Sequence, residues 1–354
     1  MHMADALLSP AVAATMYVAT GAAAGVSVYQ LKKEENPAKL PVMAVSAALV
    51  FAGQMINYTI PGTGASGHLC GGMLLSALLG PQAGFLSMMV ILAIQCLFFA
   101  DGGLMALGAN CWNMAFYGCF VGYYLIWRPI QRGNWFEKTR ERGGARARIT
   151  LASILGCVLT LQLGAFSVVL ETSLSGITAL PFAAFCALMQ PIHLAIGLVE
   201  GLITAAVLNF VYVARPALVQ EVHDGDQPLP EGKGSLKTTI AVLAAVAVLT
   251  GGALSLLASG NPDGLEWALF GNAEAGYGEN MALDEEAYGL ESELATGAAA
   301  VQEKTALLPD YGFAGGESAA GTSASGLIGV AMVAAVSVGV CALGGFFRRK
   351  KQKV

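Results

Sequence analysis

Met1, His2 and His68 are the residues whose types and positions could do chemistry. A histidine at position two offers a chelate that no internal histidine can make. The free α-amine of Met1, the amide nitrogen of His2 and the Nδ1 of its imidazole follow one another along the chain. They close a five-membered and then a six-membered ring around one metal ion, so three ligands come from two residues. A large residue at position two also protects the initiator methionine from removal, which keeps the amine where the chelate requires it. His68 stands in the glycine-dense stretch Pro61-Gly-Thr-Gly-Ala-Ser-Gly-His68-Leu-Cys-Gly-Gly-Met73. Glycine lets backbone approach closely and take φ > 0, so such a turn can carry an imidazole into a crowded interior. If His68 supplies a fourth nitrogen, the set becomes square-planar N4, which suits Ni(II) or Cu(II) rather than tetrahedral zinc. The alternatives are an incidental histidine at position two and a plain flexible loop around His68.

The remaining polar residues in apolar surroundings are Asp5, Asp101, Asn110, Asn113, Gln162, His193 and Glu200. Asp101, in Phe-Phe-Ala-Asp101-Gly-Gly, either caps the next helix or hydrogen-bonds a metal-bound imidazole. Asn110 and Asn113, three apart, share a helix face and are expected to bridge helices. His193 and Glu200, seven apart, lie on one stripe of a helix. Each is either a member of an ion path or a hydrogen bond that holds its helix to a neighbour.

The elements that must position these groups follow from composition. Hydrophobic residues make up 55% of the 354 and charged residues 12%, with a mean hydropathy of +0.62. Runs of about 20 apolar residues recur, each long enough for a bilayer core of about 30 Å. Strand-type alternation is absent, so the expected class is an all-α integral membrane protein, a polytopic helical bundle and not a barrel. The seven cysteines, scattered without a CxxC pair, read as packing residues rather than a disulfide framework or zinc site. Nothing points to nucleic acid.

Nine crossings are expected, at about 10–31, 40–58, 67–80, 82–100, 104–127, 149–171, 190–213, 236–259 and 326–346. No cleavable signal peptide is expected, because Met1-His-Met-Ala-Asp5 has an acid where a basic region would be. Lys and Arg cluster between crossings one and two, five and six, and seven and eight, and after the ninth; only Lys304 falls on the other side. Short basic loops stay cytoplasmic, so the N-terminus is extracytoplasmic and the C-terminus cytoplasmic. The same parity requires the short third segment to cross rather than dip and return. A glycine-rich crossing of about 14 residues, at 1.5 Å per residue, needs shelter from lipid. His68 is then at its outer end, on the same side as Met1.

Three units are expected: 1–215, a seven-helix membrane domain; 216–235, a polar Pro/Gly-rich cytoplasmic linker containing His223; and 236–354, two helices around an outer loop. That loop, 260–325, carries twelve acids against Lys304, and from Gly271 onward its Gly, Ala, Ser and Glu content predicts flexibility.

Met1-His2 with Leu8-Ser9-Pro10, Gly64-Ala-Ser-Gly-His68-Leu with Leu79-Gly80-Pro81, Leu97-Phe-Phe-Ala-Asp101-Gly-Gly-Leu104 with Ala106-Leu-Gly-Ala-Asn110, and His193-Leu-Ala-Ile-Gly-Leu-Val-Glu200-Gly together resemble the CbiM/NikM family over about 1–215. These are substrate-capturing membrane components of energy-coupling-factor transporters for cobalt and nickel. Asn261-Pro-Asp-Gly-Leu-Glu-Trp267 resembles the signature of the small two-helix accessory component, so the chain looks like the fused form. The resemblance implies that the Met1 amine, the His2 amide nitrogen and the imidazoles of His2 and His68 bind Co(II) or Ni(II) as cargo, with no cofactor. It implies an inner-membrane location, a transmembrane coupling protein and two cytoplasmic ATPase subunits. No Gly-x-x-x-x-Gly-Lys-Ser/Thr loop occurs here, so ATP hydrolysis is expected on the partners. Two other readings compete: an intramembrane metalloenzyme using His193 and Glu200, although no His-Glu-x-x-His pattern is present, and a structural subunit for which neither His2 nor His68 matters.

Overall fold

Ser9 accepts a hydrogen bond from the Val12 amide at 3.4 Å and Pro10 follows it, the pair of residues that starts α1 (Pro10–Leu31). The computed structural model describes residues 2–34, 39–133, 144–177, 180–222, 232–277, 280–281, 292–313 and 318–344. Met1, His223, Lys138, Arg140, Arg142 and the basic C-terminal residues from Arg348 lie outside them.

After α1 come α2 (Lys39–Gln54), a hairpin of β1 (Tyr58–Ile60) and β2 (Ala65–Gly67), α3 (Gly72–Leu79) and α4 (Pro81–Phe99). A continuous helical run follows as α5 (Leu107–Asn110), α6 (Cys111–Trp127, wound with wider π-type turns) and α7 (Arg128–Arg132). The chain continues through α8 (Ala145–Ser175), α9 (Phe182–Ala214), α10 (Leu236–Gly252), α11 (Gly264–Phe270), α12 (Glu293–Thr305) and α13 (Ala319–Gly344). The helical class holds, with the hairpin as an addition. Among the described residues five helices, α1, α4, α8, α9 and α13, are long and apolar enough to cross a membrane; α2 and α10 are apolar but shorter.

The expected third crossing is shorter than its apolar run. β2 and the loop His68–Gly71 take up its first part, and α3 has only eight residues. A helix of that length rises about 12 Å, and every residue of it is buried. The shelter comes from close backbone contact: a Cβ on Gly72 would meet the Met114 carbonyl oxygen at 2.9 Å, and one on Gly118 would meet the Gly72 Cα at 2.8 Å. Glycine at both positions lets α3 and α6 touch main chain to main chain.

α8 and α9 form the broadest helix pair, and Gln162 and Gln190 cross-link them through each other's backbone carbonyls at 2.8 and 3.3 Å. α10 and α13 pack against each other and against α2.

In residues 216–222, the first part of the expected linker, the Gln220 amide donates to the Ala77 carbonyl at 2.8 Å, its side chain donates to the Leu78 carbonyl at 3.2 Å, and its own carbonyl accepts from Trp127 at 2.9 Å. These bonds satisfy carbonyls at the end of α3, where a helix has no partners of its own. Within the described part of the outer loop beyond Gly271, α12 is docked on the first unit. Ser292 caps α12, and the buried Gln302 donates to the carbonyls of Cys96 and Gly102 at 3.0 and 2.8 Å, docking this helix on α4 and the turn after it. Residues 278–279, 282–291 and 314–317 lie outside the described part. Composition predicted flexibility there because it reports few apolar residues, and α12 is held instead by a polar side chain reaching main-chain acceptors.

The six cysteines whose side chains are described are free thiols, five of them buried, as packing residues should be.

Candidate metal centre

The hairpin brings His68 to the site and three side chains fix the loop it stands on. Gly71 has φ +87°, a conformation that favours glycine, and it turns the chain from the loop into α3. Glu200 of α9 accepts from the Cys70 amide at 2.8 Å and the Gly71 amide at 2.9 Å, one on each carboxylate oxygen. A carboxylate suits the N-terminus of α3, where amides have no helical acceptors. Gln54 of α2 donates to the Cys70 carbonyl at 2.8 Å and is itself held by Gln95 of α4 at 2.9 Å. Within His68, Nδ1 lies 3.0 Å from the Leu69 carbonyl oxygen. A carbonyl only accepts, so in this contact the proton sits on Nδ1 and Nε2 is the acceptor nitrogen of the ring.

The N-terminal segment is pinned from residue 3 onward. Met3, Leu7 and Leu8 are fully buried. Asn110 accepts from the Met3 amide at 2.7 Å and donates to the Met3 carbonyl at 3.1 Å, pairing both main-chain groups of one residue. The Gly103 amide also donates to the Met3 carbonyl, at 2.9 Å. The result is that His2 lies against His68, the rings nearly parallel at 17° with centroids 5.3 Å apart.

His2 Nδ1 is 3.1 Å from a carboxylate oxygen of Asp101, and its Nε2 is buried without a hydrogen-bond partner. Burial holds the His2 imidazole below its usual pKa, with Asp101 pushing the other way. Asp101 is therefore not the helix cap that its position suggested. Asp5 takes that place, accepting from the Ala106 amide at 2.9 Å, while Asp101 faces the imidazole and accepts from the Tyr311 hydroxyl at 2.6 Å. Tyr311 stacks on Phe99 with centroids 4.7 Å apart.

The second unit forms the outer wall. Its segment before α11 runs along the hairpin: the Ser259 amide donates to the Asn57 carbonyl at 2.7 Å, and the Ser66 amide donates to the Pro262 carbonyl at 2.8 Å. Asp263 caps α11 through Oδ1 and brings Oδ2 to 3.9 Å from His68 Nε2. A cavity of about 550 Å³ lies between the units, with His2, His68, Asp101, Asp263 and Tyr311 in its wall.

The sequence candidates thus divide. His2, His68 and Asp101 come together; Asn110 and Glu200 do not face the cavity but fix the two segments that do. Asn113 donates to Glu171 at 2.8 Å, a bridge between α6 and α8. His193 donates through Nδ1 to the Met189 carbonyl of its own helix at 2.8 Å, and its ring abuts Gly264: a Cβ there would meet Cε1 at 3.1 Å. Sequence reasoning missed Asp263, Tyr311 and Gln302. The Asp-x-x-Glu opening of an apolar run was a capping signal for α11, but nothing local said that the capped turn would face His68. Among the described residues, no group of three or more His, Cys, Asp or Glu side chains gathers as a metal cage. Two imidazoles are present, and any further nitrogens must come from elsewhere.

Comparison with known proteins agrees with this layout. Residues 2–218 match the cobalt uptake substrate-specific transmembrane region, and residues 237–344 match the PDGLE domain. A putative fused nickel transport protein NikMN of Archaeoglobus fulgidus is 35% identical over 336 residues, 95% of this chain and 96% of that one. The cobalt transport protein CbiM of Sorangium cellulosum is 31% identical over 194 residues, 54% of this chain and 81% of that one. The crystal structure of a truncated transition metal transporter is 31% identical and superposes with a TM-score of 0.50, covering 60% of this chain and 98% of its own.

Proposed function

The chain belongs to the cobalt uptake substrate-specific transmembrane family, joined to a PDGLE domain, and from that premise we propose that it captures Ni(II) or Co(II) for import. The observation that carries this reading is the pair of stacked imidazoles, His2 on His68, their centroids 5.3 Å apart. The proposed donors are the Met1 amine, the His2 amide nitrogen, His2 Nδ1 and the His68 imidazole. Chelation through Nδ1 requires His2 to exchange its contact with Asp101 for the ion, so Asp101 is proposed to hold the imidazole in place before loading.

The chain crosses the inner membrane nine times in this reading, with its N-terminus outside and basic loops inside. The division into a metal-capturing unit, 1–215, a connecting segment, 216–235, and an accessory unit, 236–354, goes with it. Ion release inward is driven by a transmembrane coupling protein and two ATPase subunits, since this chain carries no phosphate loop. The metalloenzyme alternative loses its base: both Glu200 oxygens are engaged by buried backbone amides.

Titration of the purified protein with Ni(II) and Co(II) tests the site. His2→Ala and His68→Ala should each weaken binding by at least about a hundredfold, because each removes ligands from one chelate. Unchanged affinity in either variant contradicts the proposal. Uptake of both radiolabelled ions into cells expressing the complete transporter decides between the metals.

A further inference from the structure

The second unit reaches Asp101 through a strained turn. Asp310 and Tyr311 both take left-handed backbone, at φ +49° and +57°, although neither is glycine. Two such residues in a row are costly and persist only where the surroundings over-determine them, and they cluster at functional sites. Here the surroundings can be named. The Leu308 amide donates to the Phe98 carbonyl at 3.2 Å, and the Gly312 amide closes the turn on the Pro309 carbonyl at 3.0 Å. The Tyr311 ring lies on Phe99, nearly parallel at 16°, and its hydroxyl donates to Asp101 Oδ2 at 2.6 Å. The other carboxylate oxygen, Oδ1, is the one 3.1 Å from His2 Nδ1. Asp101 thus joins a tyrosine of the second unit to an imidazole of the first.

The two contacts have different fates on loading. A carboxylate only accepts, so His2 Nδ1 carries the proton in this contact, and the proposed chelate needs the same nitrogen bare. His2 must leave Oδ1 when the ion arrives, whereas Tyr311 can stay on Oδ2. The hydroxyl then holds a carboxylate that has lost the imidazole, so it contributes more to the loaded state than to the unloaded one. A contact that favours the loaded state raises affinity for the ion. We infer that Tyr311 is a positioning residue for ion capture: acting through Asp101, it keeps the carboxylate beside the site after His2 has exchanged it for the ion. The inference rests on the capture reading above and uses, of the proposed ligands, only His2 Nδ1.

Tyr311→Phe in the full chain removes the hydroxyl and keeps the ring on Phe99, so the fold should survive. Ni(II) affinity should fall about tenfold, as loss of one hydrogen bond to a charged group requires. The ligand-field spectrum of bound Ni(II) should match the parent, because Tyr311 does not touch the ion. Asp101→Ala supplies the discriminating background. In it the same tyrosine change should alter affinity by less than about twofold, since Tyr311 acts only through that carboxylate, whereas a merely structural tyrosine would weaken binding by the same factor in both backgrounds. His2→Ala is measured beside them. If it abolishes binding while Tyr311→Phe binds no more than twofold weaker than the parent, or weakens binding equally with and without Asp101, the inference fails and the capture reading stands. If His2→Ala itself binds like the parent, the capture reading fails and takes the inference with it. A shifted ligand-field spectrum in Tyr311→Phe makes Tyr311 a ligand and overturns the positioning role.

Discussion

Glu200 shows how far a residue's chemistry can be read before its neighbours are known. A carboxylate in an apolar helix announces a cost that something must offset, and the sequence offered an ion path or a hydrogen bond. The structure gives two hydrogen bonds, both to the loop that presents His68. Glu200→Gln replaces one acceptor by a donor facing a buried amide, which should destabilise the fold by about 1–3 kcal/mol and weaken Ni(II) binding. Thermal unfolding and titration of the same preparation check this; a variant with parental Tm and affinity contradicts it. Asn110 was legible as a buried amide but not as the clamp on Met3, since the partner is main chain from the far end of the sequence. Asp101 was legible as a choice between a helix cap and a contact with an imidazole, and its neighbours decide it, because a second acid, Asp5, arrives from the N-terminus to take the Ala106 amide.

At the level of elements, hydropathy located the helices well and their ends poorly. α3 is the informative case. Its apolar run predicted a crossing of about 14 residues, charge parity demanded shelter, and the structure supplies that shelter while shortening the helix to eight. The hairpin before it was invisible because three-residue strands carry no measurable alternation. The contact of α3 with α6 makes a sharp prediction. Gly118→Ala would press a methyl onto the backbone of Gly72 and Met73, at 2.8 and 3.1 Å, and should cost about 1–3 kcal/mol, read as a lower Tm in detergent. An unchanged Tm would mean that the two helices separate freely. α12 escaped notice because its docking depends on Gln302, one polar side chain in a segment whose composition looks solvated.

Over the whole molecule, the first unit was legible down to the residues that meet, because His2 and His68 stand out chemically against an apolar background. The second unit was legible as two helices and a motif. What the sequence withheld is that the motif lies on the hairpin and walls the cavity in front of both imidazoles, a contact between segments about two hundred residues apart. In the proposed site the α-amine of Met1 is itself a ligand. Ni(II) titration of the protein beginning at Met1-His2, against the same protein lengthened by a single residue before Met1, tests this. The extension moves the free amine away from His2 and leaves every side chain in place. Binding should fall by at least about a hundredfold in the extended protein, because the fused chelate rings can no longer form. Equal affinity in the two proteins would contradict it.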